Sequence, residues 1–244
     1  MRCQPRYEGA VYICLKNVQT CLLCDEPAEA EMPICVACET ELPWLGSHCQ
    51  RCALPLIADG LTCGACLLEP PAFAQVVAPW VYGFPVDALV TRFKHNSKWP
   101  FGHLLADVLG QYLQHRFDED LPRPDALVPV PLARKRLRQR GFNQATMLAR
   151  WLGKSLNLPC DEQILRRVKE TDAQQALDAN ARKHNLRNAF DLAPNAAVNG
   201  RHFALIDDVL TTGATAQALA RLLINAGATR VDVYCLARTP KPGS

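Results

Sequence analysis

The stretch Phe203-Ala-Leu-Ile-Asp-Asp-Val-Leu-Thr-Thr-Gly-Ala-Thr215 constrains this chain more than any other. Phe203 to Ile206 is a short apolar run, as expected of a strand buried on both faces. Asp207 and Asp208 stand where that strand should end. Thr211, Thr212, Gly213, Ala214 and Thr215 are small, so the backbone can curl tightly and offer N–H groups to an anion. Beyond them Leu219, Leu222, Leu223 and Ala226 recur at helical spacing. A phosphate at such a helix start gains from free N–H groups and from the helix dipole. The stretch therefore reads as a phosphate turn, with two carboxylates placed to hold an attached sugar.

A second constraint comes from cysteine. Four C-x-x-C pairs, Cys21/Cys24, Cys35/Cys38, Cys49/Cys52 and Cys63/Cys66, start at positions 21, 35, 49 and 63. Each pair makes a knuckle with two thiolates on one side, and two knuckles complete a tetrahedral site. Four knuckles imply two metals, with zinc the first choice and an iron–sulfur cluster the alternative. Adjacent pairing, first with second and third with fourth, is preferred; interleaved pairing is the alternative. The first residues, Met1 to Arg6, lack the apolar core of a signal peptide, and no apolar run has the length of a membrane helix. A cytoplasmic address is expected, where twelve cysteines are read as metal ligands sooner than as disulfides. Cys3 and Cys14 fit no pair and read as plain thiols. With few large apolar residues, the knuckle region needs metal to fold.

Glu69-Pro70-Pro71 marks a boundary, giving residues 1–70 as the terminal segment with the cysteine module and 71–244 as the main domain. Ala74 to Trp80 reads as a strand. Pro85 to Lys94 reads as a helix with Val86, Leu89, Val90 and Phe93 on one face, and Pro100 to Phe117 as another. Lys94, at a helix end, is either an anion contact or a cation favoured by the dipole. His95 is left as a surface residue. Asp125 to Pro131 is a second apolar strand, followed by Leu132-Ala-Arg-Lys-Arg-Leu-Arg-Gln-Arg-Gly-Phe-Asn-Gln144. Such charge runs are usually solvated. This one lies between a strand's carboxyl end and a helix near 143–156, where open α/β sheets bind ligands, so an anion site is preferred. Nucleic-acid phosphate is the third option, although a net charge of +3 requires any such affinity to be local. Residues 164–190 are polar and basic and read as an insertion over the site, ending in an edge strand. Arg230 to Leu236 gives the last strand, with Cys235 in the core. Alternating strands and helices predict an α/β fold with a parallel sheet flanked by helices.

Several of these stretches together resemble a known family. Phe203 to Thr215 is similar to the phosphoribosyl pyrophosphate (PRPP) signature of type I phosphoribosyltransferases, and lacks the G-x-x-x-x-G-K-[ST] of a P-loop. Val128-Pro-Val-Pro131 with Arg136, Arg138 and Arg140-Gly-Phe-Asn-Gln144 resembles a segment of the ComF family. Arg167, Thr171, Gln174, Leu177, Arg182, Asn185 and Phe190 resemble another, with Asn188 departing from a common glycine. The four knuckles resemble that family's double zinc ribbon, and the whole is similar to its GntX-type members. The resemblance implies a type I phosphoribosyltransferase fold after a small Cys-rich double zinc ribbon, with two structural zinc ions and Mg²⁺ carried by PRPP. It implies a role in natural competence or DNA utilisation, with nucleotide salvage as the other setting and competence or DNA-processing proteins as partners; it does not supply the acceptor, for which a nucleobase-like group, an amine and single-stranded DNA stay open. Asp207 and Asp208 would hold the ribose hydroxyls and favour the oxocarbenium-like centre. Thr211 to Thr215 would cradle the 5′-phosphate. Arg136, Arg138 or Arg140, with Lys94, would meet pyrophosphate, and Arg167, Thr171 and Gln174 would belong to a closing hood. A non-catalytic protein that senses PRPP or binds single-stranded DNA is the alternative.

Overall fold

The computed structural model describes residues 19–28, 32–96, 98–169 and 189–241. They divide into two compact units, Met1–Glu41 and Leu42–Ser244. The first holds an antiparallel pair, β1 (Gln19–Thr20) and β2 (Pro27–Ala28), and a short helix, α1 (Val36–Thr40). Ile34 is buried, and Leu22 N–H donates to the Pro33 carbonyl across the unit. With so little apolar burial, its thiols must supply the remaining order.

The second unit begins with α2 (Gly64–Leu68) and the short strands β3 (Val76–Val77) and β4 (Trp80–Val81). Two helices follow, α3 (Val86–Asn96) and α4 (Trp99–Glu119), then β5 (Ala126–Pro129). The chain continues through α5 (Arg134–Arg140), α6 (Gln144–Leu156), β6 (Leu165–Arg167) and β7 (Phe190–Leu192). It closes with β8 (His202–Leu210), α7 (Ala214–Asn225) and β9 (Arg230–Arg238). The main sheet runs β3-β9-β8-β5 with every pairing parallel, and β4 also pairs with β9. β6 and β7 form a separate antiparallel pair. The expected parallel sheet flanked by helices is therefore present.

Burial explains why the central strands read as unbroken apolar runs. Phe203 to Ile206 and Val231 to Ala237 are buried throughout, as in a sheet covered on both faces. Leu148, Leu152 and Leu156 of α6 and Leu219, Ala220 and Leu223 of α7 are among the helix residues buried in the unit. At the sheet's amino end the polar side chains are paired. His202 Nε2 lies 2.9 Å from Asp232 Oδ2, which also accepts from Arg230 Nε at 3.0 Å. That network occupies the end of β8 remote from Asp207.

Candidate active site and metal centres

β8 is longer than its apolar run. It continues to Leu210 because β9 keeps pairing with it, Asp207 opposite Cys235 and Leu210 opposite Arg238. On the other side pairing with β5 stops at Ile206 opposite Pro129. Asp207 and Asp208 therefore lie in the strand's last stretch, beyond its final β5 partner, and the strand runs on past the apolar run to Leu210. Asp208 N–H donates to Asp207 Oδ1 at 2.9 Å, and Val209 N–H to Asp208 Oδ1 at 2.7 Å. Burial and, after it, the neighbouring Asp208 carboxylate raise the pKa of Asp207, against opposing pulls from the Asp208 N–H and Lys94, to about 7. Asp208 has a counter-ion: Lys94 Nζ, on the last turn of α3, is 2.8 Å from Asp208 Oδ2.

Lys94 also faces cations. A cavity of about 320 Å³ is lined by Lys94, Arg136, Gln139 and Arg140. The charge run folds as a helix, α5, so Arg136 and Arg140 are one turn apart on one face. Arg138 is on another face, is exposed and does not line this cavity. Burial lowers the pKa of Arg140, Asp208 opposes that, and Arg136 lowers it again. Two guanidinium groups held this close favour an anion between them.

The residues after Arg140 explain how it is held. Gly141 caps α5 in the left-handed conformation, with φ 79°. Phe142 packs on Trp99, ring centroids 4.9 Å apart. The Asn143 side chain caps α6 by accepting from Ala145 N–H, and donates to the Val130 carbonyl just past β5 at 3.0 Å. Gln144 Oε1 accepts from Arg140 Nη1 at 3.0 Å.

The turn Thr211 to Gly213 leads straight into α7. Gly213, with φ 74°, occupies the helix N-cap position in a conformation that a side chain would strain. Thr211 and Thr212 are exposed, and Ala214 and Thr215 half-buried. Among the described residues the N–H groups of Thr211, Thr212 and Gly213 have no acceptor. Of the expected hood residues, Thr171, Gln174, Leu177, Arg182 and Asn185 lie outside the described residues. Arg167 ends β6 with its guanidinium 5.3 Å from the centroid of the Phe190 ring. Sequence reasoning missed Arg238, whose buried guanidinium donates to four main-chain carbonyls, including those of Leu210 and Thr211. Nothing in the motif at β9 signals that role.

The cysteines gather into two clusters, Cys21/Cys24/Cys35/Cys38 and Cys49/Cys52/Cys63/Cys66, each with its sulfurs within 4.8 Å of one another. Adjacent pairing is therefore the observed one. Cys24 and Cys35 sulfurs, and Cys52 and Cys63 sulfurs, are 3.7 Å apart. A tetrahedron with metal–sulfur bonds of ~2.3 Å has an edge of ~3.8 Å, so the thiol sets fit a four-coordinate soft metal. A disulfide would need ~2.05 Å. Burial raises the pKa of Cys21, yet N–H groups of Cys35, Leu23 and Cys24 outweigh it and leave it at about 6. Cys49 is likewise held at about 7 by N–H groups of Cys63, Cys52 and Arg51 against burial. In both clusters the last cysteine, Cys38 or Cys66, is pushed well up by burial and by its sulfur neighbours. Four crowded thiols cannot all ionise until a cation joins them.

Comparison with known proteins agrees with the two cysteine clusters. Residues 18–67 match the model of the double zinc ribbon domain. The DNA utilization protein YhgH of Salmonella typhi is 39% identical over 221 residues, covering 90% of this chain and 96% of that protein. Competence protein F of Haemophilus influenzae is 35% identical over 213 residues, covering 86% and 92%. The chain belongs to the ComF family. ComFC of Bacillus subtilis, a competence protein, is a more distant member at 25% identity, with 90% of this chain and 95% of that protein covered. Among solved structures, adenine phosphoribosyltransferase from Leishmania tarentolae is similar over 55% of this chain and 70% of that one, at 15% identity and a TM-score of 0.36. No helix among the described residues of this ComF protein is long and apolar enough to cross a membrane.

Proposed function

We propose that this ComF protein binds PRPP with Mg²⁺ and transfers its phosphoribosyl group to a nitrogenous acceptor in DNA utilisation or nucleotide salvage, with two zinc ions holding the cysteine module (residues 1–70) that precedes the transferase-like domain (residues 71–244). One observation carries this reading. The strand-end carboxylates, a small-residue turn with free N–H groups, and a cationic cavity all converge on the β8 carboxyl end, joined by the Lys94–Asp208 ion pair.

Each group has work suited to its chemistry. The turn N–H groups and Thr hydroxyls receive the 5′-phosphate. Asp207 and Asp208 accept from the ribose hydroxyls, and their charge favours positive charge developing at C1. Arg136 and Arg140 take the pyrophosphate, and Lys94 moves from Asp208 toward it. The C1–oxygen bond to pyrophosphate breaks as the acceptor nitrogen bonds to C1; pyrophosphate leaves with the bonding pair, and the acceptor loses a proton. Mg²⁺, when bound by the ligand, would neutralise the diphosphate. Arg138 is assigned no contact with it.

A second reading has its own support. The exposed Trp99 packs at a tilt against Phe142 beside α5, whose Arg134 and Arg138 are exposed; such a surface suits single-stranded DNA without transfer chemistry. Competence or DNA-processing proteins are the partners both readings anticipate. A screen for pyrophosphate release from PRPP with bases, amines and single-stranded DNA separates them. Acceptor-dependent release supports transfer; PRPP binding with no release from any acceptor supports the second reading; no PRPP binding at all overturns the first.

A further inference from the structure

Arg238 is the last residue of β9 and is buried, with 7% of its surface exposed. Among the described residues no carboxylate forms an ion pair with it. Its guanidinium is used on main chain instead. Nη1 donates to the carbonyls of Leu210 at 3.0 Å, Thr239 at 2.6 Å, and Thr211. Nε donates to the carbonyl of Cys52 at 2.8 Å. A buried cation costs free energy unless such donors are satisfied, so this fork is committed to one geometry.

Leu210 and Thr211 are the residues through which β8 enters the turn. The peptide bonds there are trans. A trans peptide sets its C=O and the following N–H on opposite sides. With the carbonyls of Leu210 and Thr211 drawn to Arg238, the N–H groups of Thr211 and Thr212 are turned away from it. Those are the N–H groups without an acceptor. The guanidinium also places a fixed positive charge behind the turn, which favours an anion in front of it.

We propose that Arg238 is the positioning residue of the phosphate turn. It aims the Thr211 and Thr212 N–H groups at the ligand phosphate and is anchored on the Cys52 carbonyl, so the second cysteine cluster supports the ligand site. The inference rests on the reading of Thr211 to Thr215 as a phosphate cradle. Two further links hold the same knuckle region to the α/β core: Val76 N–H to the Arg51 carbonyl at 2.9 Å, and Arg221 to Glu69 at 3.3 Å.

The test uses the zinc-loaded full chain and its Arg238→Met and Arg238→Lys variants. Ribose 5-phosphate probes the turn, and Mg²⁺-pyrophosphate probes the Arg136/Arg140 cavity. Arg238→Met should lose about 10- to 100-fold in ribose 5-phosphate affinity, as expected for misaimed donors to a charged group, and keep its pyrophosphate affinity. Arg238→Lys, with charge but no fork, should fall between. NMR order parameters of Thr211 to Gly213 should drop from the rigid range in Arg238→Met. Equal loss of both ligands, or an unchanged turn with unchanged ribose 5-phosphate affinity, overturns the proposal. If Arg238→Met does not fold, the same split between the two ligands in Arg238→Lys decides it. If the wild type binds neither ligand, the phosphate reading fails, and the order parameters alone decide whether Arg238 holds the turn.

Discussion

The Lys94–Asp208 pair makes the sharpest test of the site, because opposite substitutions should move one affinity in opposite directions. Lys94 Nζ sits 2.8 Å from Asp208 Oδ2 and also lines the cationic cavity. At that distance the gross attraction is about 6 kcal/mol at an effective dielectric of about 20. The two side chains keep 20% and 16% of their surface exposed, and dehydration of both offsets most of the gross figure. A net ~1–2 kcal/mol is left, close to the upper range for partly screened pairs. An anion that recruits Lys94 must overcome that amount. Asp208→Asn removes it, so Mg²⁺-pyrophosphate should bind ~5- to 30-fold more tightly than to wild type, while ribose 5-phosphate binds more weakly. Lys94→Met removes a cation from the cavity and should weaken pyrophosphate by ~10-fold or more. Isothermal titration of both variants with each ligand reads this directly. If Asp208→Asn weakens pyrophosphate, or Lys94→Met leaves it unchanged, Lys94 is not shared between the carboxylate and the anion and the argument fails.

Asp207 supplies a pH test. Its folded pKa is raised to about 7, above an unfolded value of about 4. A raised carboxyl pKa means the unfolded chain loses its proton first, so this group subtracts stability as pH rises through that window. Asp207→Asn should match wild type near the bottom of the window and be the more stable protein above it, as denaturant titrations at several pH values would show; a constant difference refutes the burial argument. Elemental analysis should find ~two zinc per chain, and ~one in either Cys35→Ser or Cys63→Ser; iron, or a single metal in wild type, refutes the two-site assignment. Gly102→Ala tests the packing behind Lys94. A Cβ there would lie 2.6 Å from the Phe93 ring and 3.0 Å from Trp151. Phe93 cannot easily retreat, since Trp99, Phe142 and Trp151 crowd it at ring-centroid distances of 5.6 to 6.4 Å. A loss of ~1–3 kcal/mol in chemical denaturation is expected; wild-type stability would show that the helices part freely.

What could be read from sequence follows from what is local. A C-x-x-C knuckle is a turn of four residues, and repetition at one spacing left the pairing and the kind of metal open, so both clusters were legible as ligand sets. The apolar run at Phe203 and the small residues at Thr211 carry their geometry in composition. Other features depend on partners distant in sequence. β8 runs on to Leu210 because β9 lies beside it, and no property of Asp207 or Asp208 signals that. Five cations in the stretch from Arg134 to Arg140 look equivalent until a helix sorts them, putting Arg136 and Arg140 on the cavity and Arg138 elsewhere. Arg238 is the extreme case, since its four acceptors belong to residues 52, 210, 211 and 239.

The charge distribution resolves an apparent conflict in the proposed function. Two adjacent carboxylates should repel a polyanion such as PRPP. Yet burial pushes the Asp207 pKa up to about 7, which lowers its average negative charge near neutral pH, and Asp208 is matched by Lys94. The resting site therefore presents Arg136 and Arg140 as its uncompensated charge, and the first contact it favours is with phosphate. Drawing Lys94 toward the diphosphate then frees Asp208 at the moment a ribose hydroxyl can occupy it. Either half of the ligand alone makes only part of that exchange: pyrophosphate leaves Asp208 without a partner, and ribose 5-phosphate must compete with Lys94. A molecule carrying both halves avoids each penalty. The ion pair thus acts as a selectivity device, and its expected signature is an affinity for PRPP that falls in both Lys94→Met and Asp208→Asn, although those variants shift pyrophosphate in opposite directions.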